Sequence, residues 1–171
     1  WRGHQTWSER FGLEDLPSML LSCLLVFVVL VYVYPLKILF SGMFHSLSDG
    51  WLHSQFNLKS FEEFRQLLII YGCGFATLNL IIASLYFQAW RKRALLSMSA
   101  QEAFLTKTEV KAWSLVASFG VLSVVLSIIL DGNGLVIAAW IYSLIAIVMP
   151  IFSHYHKRQF QLISNPITNK D

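Results

Sequence analysis

Apolar residues along this chain gather into four long runs separated by short polar stretches. The first covers residues 16–44, and positions 16 to 34 within it carry no charge. A bilayer's hydrocarbon core needs about 20 apolar residues in a helix, so a run of this length predicts a membrane span. Pro35 removes one backbone donor and is expected to kink or thin this helix. Lys37, near its end, can extend its ammonium to the interface. The second run covers 65–90. Ser60-Phe61-Glu62-Glu63 ahead of it has the form of a capping box, and Trp90 followed by Arg91-Lys92-Arg93 closes it with an aromatic anchor and a basic stop. The third and fourth runs, 110–130 and 135–153, are separated only by Asp131-Gly132-Asn133-Gly134, which is turn chemistry and makes them an antiparallel hairpin.

The pattern therefore predicts an all-α, polytopic membrane helical bundle, with residues 1–171 as a single transmembrane domain of four helices. Between the second and third runs, the inner loop 94–107 reads as an amphipathic surface helix opened by Ser99-Ala100-Gln101-Glu102. Thr106-Lys107-Thr108-Glu109 is a further capping pattern, expected to open the third span.

Composition strengthens the membrane reading. The chain is 56% hydrophobic and 13% charged, against about 25% charged residues in a typical soluble domain. The net charge of +3 does not point to nucleic acid, because the basic residues flank the apolar runs and form no aromatic-interleaved stripe. Arg2, Arg10, Arg91, Lys92, Arg93, Lys107, Lys111, Lys157, Arg158 and Lys170 fall on one side of the four spans, and Lys37, Lys59 and Arg65 on the other. By the positive-inside rule both termini face the cytoplasm, and the chain belongs in a cell membrane, the inner membrane if bacterial. The loop 43–59 is then external, with Trp51 and Phe56 suited to the interface. The chain starts at Trp1 rather than methionine, with no cleavable signal ahead of the first run, and a processed or truncated N-terminus is expected.

Chemistry inside the spans is sparse. Ionisable residues buried in lipid mark proton relays, ion paths or voltage sensors, and no span here carries one in its interior. That argues against a proton-coupled transporter, a gating-charge helix and an intramembrane metalloprotease. Asn79 is the polar residue at mid-span: its amide suits a hydrogen bond between helices, with a ligand contact as the alternative. Gly72 and Gly74, with Ala76, Thr77 and Ala83, mark the expected helix-packing face. Cys23 and Cys73 lie in apolar runs, read as small buried hydrophobes, and form no metal or disulfide pattern. His45, Ser48, Asp49 and His53 in the outer loop contain the residue types of a triad but no evidence of its geometry. His154 and His156 splay apart at a two-residue helical spacing, and join Lys157 and Arg158 as headgroup-facing residues. No catalytic residue, metal site or cofactor is assigned.

Several phrases occur in an order that resembles bacterial members of the transmembrane protein 175 family of potassium channels. These are Trp1-Arg2-Gly3-His4, then Glu9-Arg10-Phe11-Gly12-Leu13-Glu14-Asp15, and the run from Leu24 through Tyr34-Pro35-Leu36-Lys37. Ile70-Tyr71-Gly72-Cys73-Gly74-Phe75 and Glu102-Ala103-Phe104-Leu105-Thr106-Lys107 continue it, so the similarity runs from Trp1 to about the fourth span. The resemblance implies six-helix units assembled as tetramers around one potassium-conducting pore, lined by a first helix bearing Arg-x-x-x-Phe-Ser-Asp. This sequence has no such motif; Ser46-Leu47-Ser48-Asp49-Gly50 lacks the Phe and the upstream Arg and sits in a loop. The resemblance thus implies scaffold helices supporting a pore helix outside these residues. In the family a tryptophan and a histidine near this point help hold the pore motif, and Trp1 and His4 are the matching positions. The remaining readings are a non-conducting structural or partner-binding membrane protein and, last, an enzyme relying on His45 and His53.

Overall fold

A computed structural model describes residues 2–11, 15–47 and 60–164, and the regular structure among them is all helical. A short helix α1 (Arg2–Phe11) precedes α2 (Leu16–Leu47), α3 (Phe61–Arg91) and α4 (Ala100–Ile129). The fourth span is a composite: a 3₁₀ turn, Gly132–Gly134, leads into α5 (Leu135–Trp140), a second 3₁₀ segment, Ile141–Leu144, and then α6 (Ile145–Ser164). Among the described residues, four stretches are long and apolar enough to cross a membrane: Leu16–Ile38, Phe61–Arg91, Ala100–Ile129 and Gly132–Phe160. At 1.5 Å per residue, helices of 32, 31 and 30 residues exceed the hydrocarbon thickness of roughly 30 Å, so α2 to α4 tilt or project beyond it.

Local chemistry explains the starts. Ser60 Oγ accepts from the Glu63 N–H at 3.2 Å and begins α3. At α4 the box is complete: the Glu102 N–H donates to Ser99 Oγ at 3.2 Å, and the Ser99 N–H donates to the Glu102 carboxylate at 2.8 Å. The reciprocal pair satisfies two of the donors a helix N-terminus leaves open.

Nothing stops the helix after Ser99, and here the structure departs from the sequence reading. The surface helix expected within 94–107 does not exist separately; 92–97 form a turn, with Ser97 in the left-handed region at φ 48°, and residues from Ala100 onward are the first turns of α4 itself. Thr106 opens no helix. It is fully buried, and its Oγ1 donates back to the Glu102 carbonyl at 2.7 Å, the bond a threonine makes inside a helix. Helix α2 runs through Pro35 without a break in the element. The fourth span, expected as one helix over 135–153, breaks at Ile141–Leu144 and ends beyond the predicted limit.

The core lies between α3 and α4, whose axes stay adjacent along most of their length. Leu68, Leu85 and Ala89 of α3 and Ala117, Ser123 and Ser127 of α4 are fully or almost fully buried. The last two spans form the predicted antiparallel hairpin, tied by Ser123 Oγ donating to the Ala138 carbonyl at 2.9 Å. Arg65 binds the hairpin turn to the start of α3: it pairs with Asp131 and with Glu62, and donates to the Leu130 carbonyl at 3.3 Å. By contrast α2 rests on α3 with one face and leaves the rest open; Leu20, Phe27 and Leu30 are 61%, 63% and 70% exposed. An apolar surface of that extent suits lipid or another protein chain.

Candidate functional site

The end of the bundle that collects the basic residues is also where α1 docks. Its spacing explains how: His4, Trp7 and Phe11 recur at intervals of three and four, so one face of a polar helix carries all three rings. Trp7 is buried, and its indole N–H donates to the Leu85 carbonyl of α3 at 3.0 Å. The Tyr86 hydroxyl donates to the Gly3 carbonyl at 3.2 Å. Phe11 meets Tyr86 edge to face at 6.1 Å. Gly3 is needed for the close approach, since a Cβ there would lie 2.6 Å from Trp113 Cζ2. His4 faces α2, with Nε2 3.0 Å from Ser22 Oγ. Burial holds the His4 imidazole below its ordinary value, which favours the neutral ring.

A polar clamp closes the same end. Lys92 Nζ lies 2.8 Å from Asp15 Oδ2. Ser18 Oγ lies 2.8 Å from Asp15 Oδ1 and 3.1 Å from Gln88 Oε1. A hydroxyl has one proton, so both contacts are satisfied when Ser18 donates to the carboxylate and the Gln88 amide is turned to donate to Ser18. Hydrogen bonding from Lys92 and then Ser18 holds the Asp15 carboxyl below its usual range. Lys92, read from sequence as part of a basic stop, is thus a tertiary contact that fixes the start of α2 against the end of α3.

Its neighbours behave differently. Arg91 and Arg93 are exposed and Trp90 is half-buried. The Arg93 guanidinium carbon sits 4.7 Å from the Trp90 ring centroid, and Lys107 Nζ, arriving from α4, sits 5.6 Å from the same ring. Phe87, one turn deeper on α3, stacks on Trp90 at 6.0 Å. Lys37 is exposed on α2.

Nearer mid-bundle, Gly72 and Gly74 serve different neighbours, because residues two apart on a helix point to opposite sides. Gly72 faces α4: a Cβ there would lie 2.6 Å from Val124 Cγ2 and 3.0 Å from the Gly120 carbonyl oxygen. Gly120 answers it, its own Cβ position lying 2.9 Å from the Gly72 carbonyl oxygen and 3.1 Å from Ala76 Cβ. Gly74 instead lies under the ring of Tyr32 from α2. Asn79 is buried, but the hydrogen bond expected between helices is made within α3, where Nδ2 donates to the Phe75 carbonyl at 2.7 Å; the backbone four residues back is the nearest acceptor. Thr77 does the same toward Cys73 and faces outward. Both cysteines, expected as buried hydrophobes, are exposed; Cys73 lies about a quarter turn around α3 from the Gly72–Ala76 packing face.

Two further groups escaped the sequence reading. Tyr32, Tyr71, Phe75 and Tyr142 cluster where α2, α3 and the 3₁₀ segment meet, with Tyr71 and Tyr142 edge to face at 5.0 Å and the Tyr32 hydroxyl donating to the Tyr71 carbonyl at 3.1 Å. Tyr142 enters this cluster from the 3₁₀ segment that breaks the fourth span. His156 was read as facing headgroups with His154; His156 is instead 9% exposed, bonds the Phe152 carbonyl through Nδ1 at 3.0 Å, and packs on Phe104 and Phe152, while His154 remains exposed. The two-residue spacing that argued against a metal also separates their environments. Trp1, Ser48, Asp49, Trp51, His53 and Phe56 lie outside the described residues, as does the side chain of His45.

No family model matches the chain. A protein of Marivirga tractuosa named "Potassium channel" is 29% identical over 162 residues, a match that covers 89% of this chain and 65% of that protein. The chain thus spans slightly under two thirds of that relative's length. Among solved structures, a variant of the potassium channel MtTMEM175 crystallised with a nanobody-MBP fusion protein superposes with a TM-score of 0.80 at 28% identity, covering 92% of this chain and 72% of that one. With four spans in an all-helical bundle, this is a multi-pass membrane protein. In sequence and in fold alike, the chain is similar to TMEM175-type channel proteins.

Proposed function

We propose that this chain is a membrane subunit of a cation channel with potassium as its permeant ion, and that its four spans brace a pore-lining helix rather than forming the pore. The observation that carries this reading is the agreement of sequence and fold with proteins named potassium channels. The interior of the bundle supports the bracing role. Ser123, Ser127, Tyr32 and Asn79 each donate to backbone carbonyls inside the bundle, so the protons of these polar groups are used on structure. The Gly72–Gly120 crossing and the clamp at Asp15 and Lys92 are the devices of a stiff support.

In this reading the subunit assembles as a homo-oligomer, a tetramer as the family resemblance implies, in the bacterial inner membrane with both termini cytoplasmic. The exposed apolar face of α2 is the surface available for neighbouring helices. Trp1 and His4 belong to the support of the pore motif. His4, already held against Ser22, sits on the docked α1 where such a role is sterically reasonable. No cofactor or catalytic centre enters the account.

The test is potassium flux into liposomes containing the full-length protein that bears these residues. Flux above that of empty vesicles, at verified incorporation of the oligomer, is expected. No flux under those conditions overturns the channel reading and leaves a non-conducting, partner-binding membrane protein.

A further inference from the structure

An open groove of about 570 Å³ runs along the outside of the α3–α4 pair, lined by Leu80, Ser114, Ala117, Ser118, Val121 and Val125. Its lining is almost wholly apolar, and helical rise makes the stretch from Ser114 to Val125 roughly 17 Å long. Its near end lies about 10 Å along α4 from Lys107 and its far end about 27 Å, so a chain anchored at Lys107 enters the groove within its own leaflet.

The helix faces that line the groove continue toward the basic end. On α4, Lys107, Lys111, Ser114, Ser118, Val121 and Val125 follow one another at intervals of four, three, four, three and four, which keeps them on one helix face with the exposed Lys111 one turn from Lys107. On α3, Leu80 and Phe87 are seven apart, and Phe87 stacks on Trp90. Beyond the basic-side end of the groove lies the indole of Trp90, with the Arg93 guanidinium and the Lys107 ammonium drawn to the same ring.

These two cations have no carboxylate partner among the described residues, where the ion pairs involve Arg65 and Lys92 instead. The nearby acids are engaged elsewhere: Asp15 with Lys92, Glu102 with the Ser99 N–H, and Glu109 with the Trp113 indole. Two like charges gathered at one indole favour an anion beside them, and a phosphate accepts charge-assisted hydrogen bonds from such groups.

We infer that this face is a binding site for one anionic phospholipid, its phosphate held by Arg93 and Lys107 and an acyl chain lying over Phe87 and down the groove between α3 and α4. Charge complementarity selects the headgroup, and the apolar groove selects a lipid over a soluble phosphate. Leu95, 78% exposed in the turn beside Arg93, adds an apolar contact at the same interface.

Native mass spectrometry of the full-length protein, stripped of lipid in detergent, tests this with dioleoyl phosphatidylglycerol, dioleoyl phosphatidylcholine and inorganic phosphate as separate probes. Phosphatidylglycerol is expected to bind in preference to phosphatidylcholine, and millimolar phosphate is expected not to displace it. Arg93→Gln and Lys107→Gln should each weaken phosphatidylglycerol about fivefold and together about thirtyfold, leaving phosphatidylcholine unchanged. Lys37→Gln, at the other end of the bundle, should change neither. Ser118→Trp, which fills the groove, should weaken both lipids. Equal binding of the two lipids by the unmodified protein overturns the inference and needs no variant to fold. So does displacement by phosphate alone, or a Ser118→Cys cross-link joining two copies through the groove with no lipid retained.

Discussion

The indole N–H of Trp7 donates to the backbone carbonyl of Leu85 at 3.0 Å, joining residues 78 positions apart at the end of the bundle. The carbonyl belongs to the interior of α3, so the bond pins α1 against the side of the third helix rather than its tip. Trp7→Phe keeps most of the ring volume and loses the donor; a cost of about 1 kcal/mol is expected. Trp7→Ala also empties a buried site and should cost about 3 kcal/mol or more. Unfolding in detergent, followed by circular dichroism, checks the order. Equal melting of both variants would mean that α1 is held by something else.

The Gly72–Gly120 crossing leaves no room for a methyl group. Gly72→Ala places a Cβ against Val124 and the Gly120 carbonyl, and overpacking of this kind costs about 1–3 kcal/mol. Adding Val124→Ala removes the nearer obstacle and should recover part of the loss, the rest remaining because the carbonyl cannot move away without its helix. Stability of the single and double variants, read by denaturant titration in micelles, tests the coupling.

Asp15 and Lys92 set an acid limit. The folded carboxyl titrates below its unfolded value, so its contribution is present in full above the unfolded value, near pH 4, and is lost as pH falls through the folded one. The pair is partly exposed, so its worth is about 1 kcal/mol at most. The difference in melting temperature between the unmodified protein and Asp15→Asn should be constant from pH 7 to 5 and shrink below pH 4. A difference that instead grows with acid would contradict the assignment.

Arg65 and Asp131 are unequal partners. Asp131 is highly exposed, whereas Arg65 also serves Glu62 and the Leu130 carbonyl at the end of α4. Arg65→Gln should therefore destabilise by about 1 kcal/mol and Asp131→Asn by only a few tenths. Hydrogen exchange at the 132–134 turn should rise in the first variant and barely change in the second.

Much of the architecture was legible because lipid imposes it. Spans announce themselves by length, and Asp131-Gly132-Asn133-Gly134 can only be a tight connection. Ser99 and Glu102 were legible as a box because capping is local. Thr106 misled for the same reason: its pattern is a capping pattern, but a helix already running from Ala100 has no N-terminus for it to cap. Asn79 showed the limit of polarity as a signal, since a carbonyl four residues back satisfies an amide as well as a neighbouring helix does. Trp7 could have been found from the spacing of His4, Trp7 and Phe11. The partner of Lys92, the cluster at Tyr142 and the convergence of Arg93 and Lys107 on Trp90 depend on which helices lie side by side, which no local pattern states.

Conduction remains the central claim, and current across a planar bilayer containing the full-length protein under a potassium gradient tests it most directly. The account predicts discrete current steps that reverse near the potassium equilibrium potential. Silence at confirmed incorporation, or reversal at the anion's potential, would contradict it.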